Sequence, residues 1–246
     1  MSQARTADAT LARLQRGLIV SCQAPTGSPM RQPVVMAALA AAAVAGGAVG
    51  IRANGAEDIV AIRATVDVPI IGLFKQIGES GTQWITPDLE AARAVVEAGC
   101  DIVAVDATLR SPRMGLPAEA LIDAIRSRLG VPVLADVDSV AAGLAAERAG
   151  ADALATTLSG YTSEPSGRAG QPDIALVERL AGAAARPVIA EGRYQNPAQV
   201  NEAFSAGAHA VVIGTAITDA LALTERFTTS IHQWWASRER DKGTER

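Results

Sequence analysis

Eight short apolar runs alternate with segments of helical period along this chain, and that rhythm restricts its fold more than any other feature. The runs are "GLIVSCQ" from Gly17, "AVGIRA" from Ala48, "PIIGLFK" from Pro69 and "DIVAVDA" from Asp101. "PVLADV" from Pro132, "ALATTL" from Ala153, "PVIAEG" from Pro187 and "AVVIGTA" from Ala210 follow. Each reads as a buried parallel strand, and segments such as "DLEAARAVVEAG" and "SVAAGLAAERAG" between them read as helices. Helix punctuation agrees. Thr86-Pro87 and Asn196-Pro197 read as N-caps with proline at the first helical position. Asn54 with Glu57 and Asn196 with Gln199 have capping-box spacing. The segments "EAGCDI", "RAGADAL" and "SAGAHAV" place a glycine where a helix ends in the left-handed conformation before the next strand.

Eight strands alternating with helices in 246 residues predict an α/β protein, a single (β/α)8 TIM barrel over residues 1–238 with a charged, frayed tail at 239–246. Residues 4–16 are expected to form a helix capping the bottom of the barrel. A doubly wound sheet is the competing architecture. It needs a glycine-rich loop after the first strand, and "SCQAPTGSP" offers no GxGxxG there. The turn-rich loop "SGYTSEPSGRAGQP" after the sixth strand is a lid candidate.

Bulk properties exclude several classes. The chain is 49% hydrophobic and 20% charged with net charge −4 and no basic stripe, so nucleic-acid binding has no support. "VVMAALAAAAVAGGAVGI" is alanine-rich and interrupted by Gly46 and Gly47, a buried helix running into a strand rather than a membrane span. Residues 1–16 lack the pattern of a signal peptide. Cys22 and Cys100 lie far apart in apolar surroundings and read as two reduced, buried thiols of a cytoplasmic protein, with one disulfide as the competing reading. No CxxC or HExxH occurs, and His209 reads as a packing position, so no metal site is expected.

Function in such a barrel sits where strands end. Those ends carry Gln23, Arg52, Lys75, Asp106, Asp136, Thr157, Glu191 and Gly214. Burying so many polar groups at one rim costs several kcal/mol per unpaired charge, and a ligand site accounts for the cluster. Lys75 stands out. Lys75 and Lys242 are the only lysines among 22 basic residues. Ordinary lysine titrates near 10.4, and burial beside Arg52 can bring it towards neutrality, whereas arginine stays charged. Lys75 therefore reads as an acid/base or Schiff-base amine, against a plain ion pair with Glu191 or Asp136. Glu191 reads as a second proton-transfer group, against a partner for Arg193. Asp106 and Asp136 fit hydroxyl binding, pairing with Lys75 or Arg52, or helix capping. Gly192-Arg193 and Gly214-Thr215 follow the last two strands, where barrels recurrently hold phosphate on backbone N–H groups; two tight turns are the plainer reading.

The segments "LIVSCQA", "GGAVGIRANG", "PIIGLFK", "WITP", "DIVAVDATLR", "LADV", "TTLSGYT", "PVIAEGR" and "VVIGTAIT" fall in order from about Gly17 to Thr218. Together they resemble the N-acylglucosamine-6-phosphate (N-acetylmannosamine-6-phosphate) 2-epimerases. The resemblance implies a barrel enzyme that interconverts N-acetylmannosamine 6-phosphate and N-acetylglucosamine 6-phosphate in sialic-acid catabolism. It implies Lys75 and Glu191 as the catalytic pair, with Gln23, Arg52 and Asp136 contributing to the site. It implies no metal or organic cofactor, a phosphosugar as partner, and a homodimer. Thr157 and Tyr161 are further substrate-binding candidates. Two stretches depart from the family. "KQIGES" replaces K-R-D-Y after the lysine, and Asp219 in "AITDALALTERF" stands where an arginine commonly reaches the phosphate. A Schiff-base aldolase and a non-catalytic phosphosugar sensor are the rival functions.

Overall fold

The apolar runs become the staves of a closed barrel. In the computed structural model, which describes residues 3–78, 81–110, 114–163 and 170–244, eight parallel strands close in the order β1-β10-β9-β8-β7-β6-β3-β2. They are β1 (Leu18–Cys22), β2 (Gly50–Asn54), β3 (Ile70–Leu73), β6 (Ile102–Asp106), β7 (Val133–Asp136), β8 (Ala153–Ala155), β9 (Val188–Glu191) and β10 (Ala210–Ile213). The intervening helices are α2 (Pro33–Ala45), α3 (Ala56–Arg63), α4 (Leu89–Glu97), α5 (Ala118–Leu129), α6 (Val140–Arg148), α7 (Ile174–Ala183) and α8 (Pro197–Ser205). The short α9 (Thr215–Thr218) and the long α10 (Ala220–Thr244) follow β10, and α1 (Gln3–Ala12) precedes β1. A separate hairpin, β4 (Lys75–Ile77) with β5 (Gln83–Ile85), stands beyond the end of β3.

Side chains alternate across each strand, so every second residue looks into the barrel. Ile19, Ile71, Leu73, Ile102, Ala104, Leu134, Ala153, Ala155, Ile189, Ala210 and Val212 form one buried cluster, joined by Leu11 and Leu14 from the amino-terminal segment. Val20, Ile51, Ile70, Val103, Val133, Leu154, Val188 and Val211 belong to a second cluster with the helices. Continuing the inner row towards the carboxyl ends gives Arg52, Asp106, Asp136 and Glu191. The apolar fill thus changes to ionisable groups within one residue pair, and the same pleat that builds the core aims the site.

Several cap assignments change. Asn196 accepts from the Gln199 N–H at 3.1 Å with Pro197 as first helical residue, as expected. At α4 the cap is Asp88, which accepts from the Ala91 N–H at 2.8 Å, rather than Thr86. At α3 the residue before the helix is Gly55, and Asn54 accepts instead from the Lys75 backbone N–H at 2.8 Å. Both residues are drawn away by the hairpin, whose strands need partners that local spacing does not reveal. Gly99, Gly150 and Gly207 take φ of 102°, 98° and 94°, the left-handed turn expected after α4, α6 and α8. Cys22 and Cys100 are buried free thiols, and His209 Nε2 lies 2.9 Å from the Leu11 carbonyl, a packing role. The helix α10 continues to Thr244, across the expected boundary of the frayed tail; residues 245 and 246 lie outside the described residues. Residues 164–169 of the lid candidate also lie outside them. No helix among the described residues is long and apolar enough to cross a membrane.

Close packing leaves β3 without room for a side chain at Gly72, where an added Cβ would meet Cys100 Cβ at 2.6 Å and Cys100 Sγ at 2.9 Å. Gly72→Ala is expected to cost about 1–3 kcal/mol through forced shifts of the α4–β6 connection. The midpoint of urea unfolding, read against the unsubstituted protein, measures it.

Candidate active site

Arg52 is the hub of the barrel mouth. It is 1% exposed on the inner face of β2. Its Nη1 donates to Asp136 Oδ1 at 3.0 Å and to Glu191 Oε2 at 2.8 Å, and its Nη2 donates to Asp136 Oδ2 at 2.6 Å. The planar guanidinium fork matches a carboxylate in this bidentate manner, and lysine does not. Burial opposes the Arg52 charge, but Asp136 and Glu191 outweigh it and hold the guanidinium above its usual range. Thr157 Oγ1 donates to Asp136 Oδ1 at 2.5 Å from the 3₁₀ turn Thr156–Leu158 that follows β8. The preceding Thr156 brackets Glu191: its hydroxyl donates to the Glu191 carbonyl at 2.9 Å and accepts from the Glu191 N–H at 3.0 Å. Sequence reading missed Thr156 because it treated the turn as strand and took Thr157 alone from it.

Lys75 stands differently from its expectation. It was placed at a strand end, sunk in the mouth; instead it starts the β4–β5 hairpin and is exposed. The physical reason is that Phe74 breaks the parallel ladder. The Phe74 carbonyl accepts from the Thr86 N–H at 2.7 Å, and the Phe74 N–H donates to Thr86 Oγ1 at 3.0 Å. The hairpin nevertheless turns Lys75 inward. Lys75 pairs directly with Ile85, and opposed residues of an antiparallel pair share a face. Ile85 is 4% exposed and packs in the inner barrel cluster, so the Lys75 face looks towards the barrel axis. The surrounding protein and then Arg52 pull its ammonium below the ordinary lysine range, while Glu191 and Asp136 pull the other way. Because Lys75 is exposed, solvent softens this shift in the unliganded mouth. Among the described residues Lys75 has no ion pair within 4.0 Å, so the plain salt-bridge reading is not what the geometry gives.

Glu191 is driven upward, first by burial and then by Asp136, against Arg52, Thr157 and Lys75. An amine shifted down and a carboxyl shifted up across one mouth have their proton affinities drawn together, the arrangement that acid–base chemistry near neutrality requires. Gln23 is anchored by donating from Nε2 to Ser21 Oγ at 2.8 Å, and its buried Oε1 has no hydrogen-bond partner among the described residues. Asp106 is fully buried, accepts from the Thr108 N–H at 3.1 Å and hydroxyl at 2.7 Å, and pairs with Arg110.

The expected anion pocket is less open than its spacing implied. Gly192 has φ 117°, a conformation glycine adopts freely, but Arg193 donates from Nε to the Gln171 carbonyl and from Nη1 to the Ser159 carbonyl, both at 2.7 Å. Its guanidinium carbon also lies 5.3 Å from the ring centre of Tyr161, which is 61% exposed. Gly214 precedes Thr215, the first residue of α9, and lies against Ser21. Asp219 Oδ1 accepts from the Ala222 N–H at 3.0 Å, which makes it the cap of α10. Asp138 was not singled out, although it lies two residues past Asp136 on the inner row; it is 4% exposed and accepts from Thr162 at 2.7 Å. A cavity of about 400 Å³ lies at the opposite end of the barrel, against Arg16, Arg186 and His209; its lining includes no carboxylate or lysine, so it cannot host a lysine–carboxylate pair.

The raised Glu191 carboxyl makes a stability prediction. The folded chain holds the Glu191 proton more tightly than the unfolded chain, so stability falls as pH rises above the ordinary carboxylate range through the folded value. Glu191→Gln removes that titration. It is expected to flatten the decline, with its advantage over the unsubstituted protein vanishing below about pH 4. Thermal midpoints of both proteins from pH 4 to 8 test the sign.

Comparison with known proteins agrees with this geometry. Residues 36–233 match the family described as "Putative N-acetylmannosamine-6-phosphate epimerase". The "Putative N-acetylmannosamine-6-phosphate 2-epimerase" of Caldanaerobacter subterraneus subsp. tengcongensis is 47% identical over 222 residues, covering 90% of this chain and 93% of the relative. That of Cutibacterium acnes is 47% identical over 224 residues, covering 89% of this chain and 96% of the relative. The solved N-acetylmannosamine-6-phosphate 2-epimerase from Clostridium perfringens superposes with a TM-score of 0.84 at 36% identity, over 89% of this chain and 95% of that one. A thiamine phosphate pyrophosphorylase from Pyrococcus furiosus, 18% identical with a TM-score of 0.56, shares the fold alone. With the match running from α2 into α10 and close to half of the residues shared with whole-length relatives, this chain belongs to the N-acetylmannosamine-6-phosphate epimerase family.

Proposed function

We propose that this chain interconverts N-acetylmannosamine 6-phosphate and N-acetylglucosamine 6-phosphate by exchanging the hydrogen at C2, with Lys75 and Glu191 as the catalytic pair. The observation that carries the reading is the opposed shift of these two groups around Arg52 in a chain of this family. A C2–H next to an open-chain aldehyde is acidic only if the enolate is stabilised. Bound sugar covers the mouth, completes the desolvation of Lys75 and favours its neutral form. Neutral Lys75 takes the C2 proton; the C–H electron pair moves into the C1–C2 bond, and the carbonyl electrons move to O1. Glu191, whose burial favours its protonated form, serves proton movement at O1 and O5 during ring opening. Both terminal nitrogens of Arg52 are committed to carboxylates, so it assists the enolate through its charge and its buried, unpartnered Nε. Return of a proton to the opposite face of C2 inverts the centre.

Gln23, Asp136, Thr157 and Tyr161 surround the sugar in this reading, and Gln23 Oε1 is an acceptor for its hydroxyl or amide hydrogens. The 6-phosphate sits against the Gly192-Arg193 and Gly214-Thr215 turns, where backbone N–H groups contribute in place of a dedicated arginine. Asp219 keeps its carboxylate engaged at the α10 cap, which moderates its repulsion of the phosphate. Lys75→Ala is expected to lower C2 deuterium wash-in from D2O by about 10²–10⁴-fold, the range of a lost general base. Proton NMR of N-acetylmannosamine 6-phosphate, with the unphosphorylated sugar alongside, reads it. Undiminished exchange would remove the lysine from this role. Borohydride inactivation in the presence of sugar would instead support a Schiff-base lyase.

The working unit in this reading is a cytoplasmic homodimer joined through α10. Phe227, Ile231, Trp234 and Trp235 recur along that helix at helical spacing and are 63%, 54%, 51% and 59% exposed. A helix of this length reaches roughly 37 Å, and two such faces packed together supply apolar area on the scale of a stable interface. Phe227→Glu combined with Trp235→Glu is expected to halve the mass found by light scattering after gel filtration. A monomer for the unsubstituted protein would exclude the dimer.

A further inference from the structure

We propose that Arg110 is a positioning residue for Lys75, clamping the back of the hairpin that presents the lysine to the sugar. The proposal rests on the reading of Lys75 as the base. The hairpin has three paired positions, Lys75 with Ile85, Gln76 with Trp84 and Ile77 with Gln83, and a two-stranded ribbon of that size does not hold its place alone. Its base is fixed by the Phe74–Thr86 bonds, through a buried threonine at φ 46°, a conformation a β-branched residue avoids. Asn54 holds the backbone of Lys75 from the end of β2. These contacts tie down one end of the ribbon and one strand.

The other strand, β5, is held by Arg110. Its Nη2 donates to the Gln83 carbonyl at 2.9 Å, and its guanidinium carbon lies 3.9 Å from the ring centre of Trp84. The same nitrogen pairs with Asp106, which is buried at the end of β6 and fixed in turn by Thr108. Asp106 is the register partner of Asp136, so the clamp is anchored on the strand beside the one that carries the Asp136 end of the Arg52 network. Trp84 lies one residue from Ile85 and therefore on the opposite face of the ribbon from Lys75. Pressure on the Trp84 face sets how far Lys75 leans into the mouth. Three charged groups meet Lys75 there: Arg52 from β2, Asp136 from β7 and Glu191 from β9. Release of the clamp lets the amine move towards solvent, away from Arg52 and the desolvating walls, so its titration rises towards that of ordinary lysine.

The test compares Arg110→Met, Arg110→Lys and Trp84→Leu with the unsubstituted protein and with Lys75→Ala, following epimerisation across pH. Arg110→Met is expected to lower kcat about 10–100-fold, the scale of a misplacement near 1 Å, with KM within about threefold. The acid limb of kcat, which reports the bound complex where neutral Lys75 is needed, moves to higher pH. Arg110→Lys keeps the charge beside Asp106 but loses the flat stack, and falls between. Trp84→Leu moves the limb the same way and leaves the Asp106 pair intact, so it carries the test if Arg110→Met does not fold. A kcat within about twofold and an unmoved limb in the variants that fold overturn the proposal; so does a loss confined to KM. Wild-type C2 exchange in Lys75→Ala would remove the reading beneath it, whereas an inactive Lys75→Ala beside a fully active Arg110→Met sinks the clamp alone.

Discussion

The fork of Arg52 on Asp136, with its third bond to Glu191, is the contact on which the rest of the mouth depends. It spans β2, β7 and β9, three strands that are not neighbours in the barrel. An arginine in that place would be costly without carboxylates, and two carboxylates would be costly without the arginine. The pair leaves one negative charge over, and the nearest remaining cation in electrostatic reach is Lys75. The four groups form a set that is neutral as a whole, whether the mobile proton sits on the amine or on Glu191. Moving that proton between them redistributes charge without changing the total, which is a favourable setting for an acid and a base that exchange roles.

Much of this was legible because the carboxyl ends of barrel strands converge on one rim. The pleat then accounts for the aim of those ends: inward Ala104, Leu134 and Ile189 are followed two residues on by Asp106, Asp136 and Glu191. The resemblance to the epimerases added which of them to weigh most. Thr156 escaped because β8 ends at Ala155 and turns into a 3₁₀ segment, whereas "ALATTL" reads as strand throughout. Asp138 escaped because it lies two residues past the end of β7, and the reading stopped at the strand end.

What could not be read was whatever depends on a partner far away in sequence. Asn54 and Thr86 both carry the signature of a helix cap, and both are used by the hairpin instead. Nothing local separates the two uses, since an Asn or Thr oxygen accepts a backbone N–H equally well from either source. The start of the hairpin was hidden because Lys75 reads as the last residue of one continuous strand, "PIIGLFK". Asp219 shows the same limit from the other side. Read as a misplaced charge beside a phosphate, it has a structural use as the first acceptor of α10.

The hairpin also explains how an exposed lysine can serve a reaction that asks for a neutral amine. A lysine locked deep in the barrel would be desolvated permanently, and its amine would be neutral whether or not sugar was present. On a ribbon above the mouth, Lys75 meets water when the site is empty and loses it when a ligand covers the opening. Solvent then screens the repulsion from Arg52 in the resting protein and stops doing so once the sugar is bound. In the proposed reaction the lowering of its proton affinity would thereby be coupled to occupancy, so that Lys75 becomes a base towards carbon only when sugar is bound.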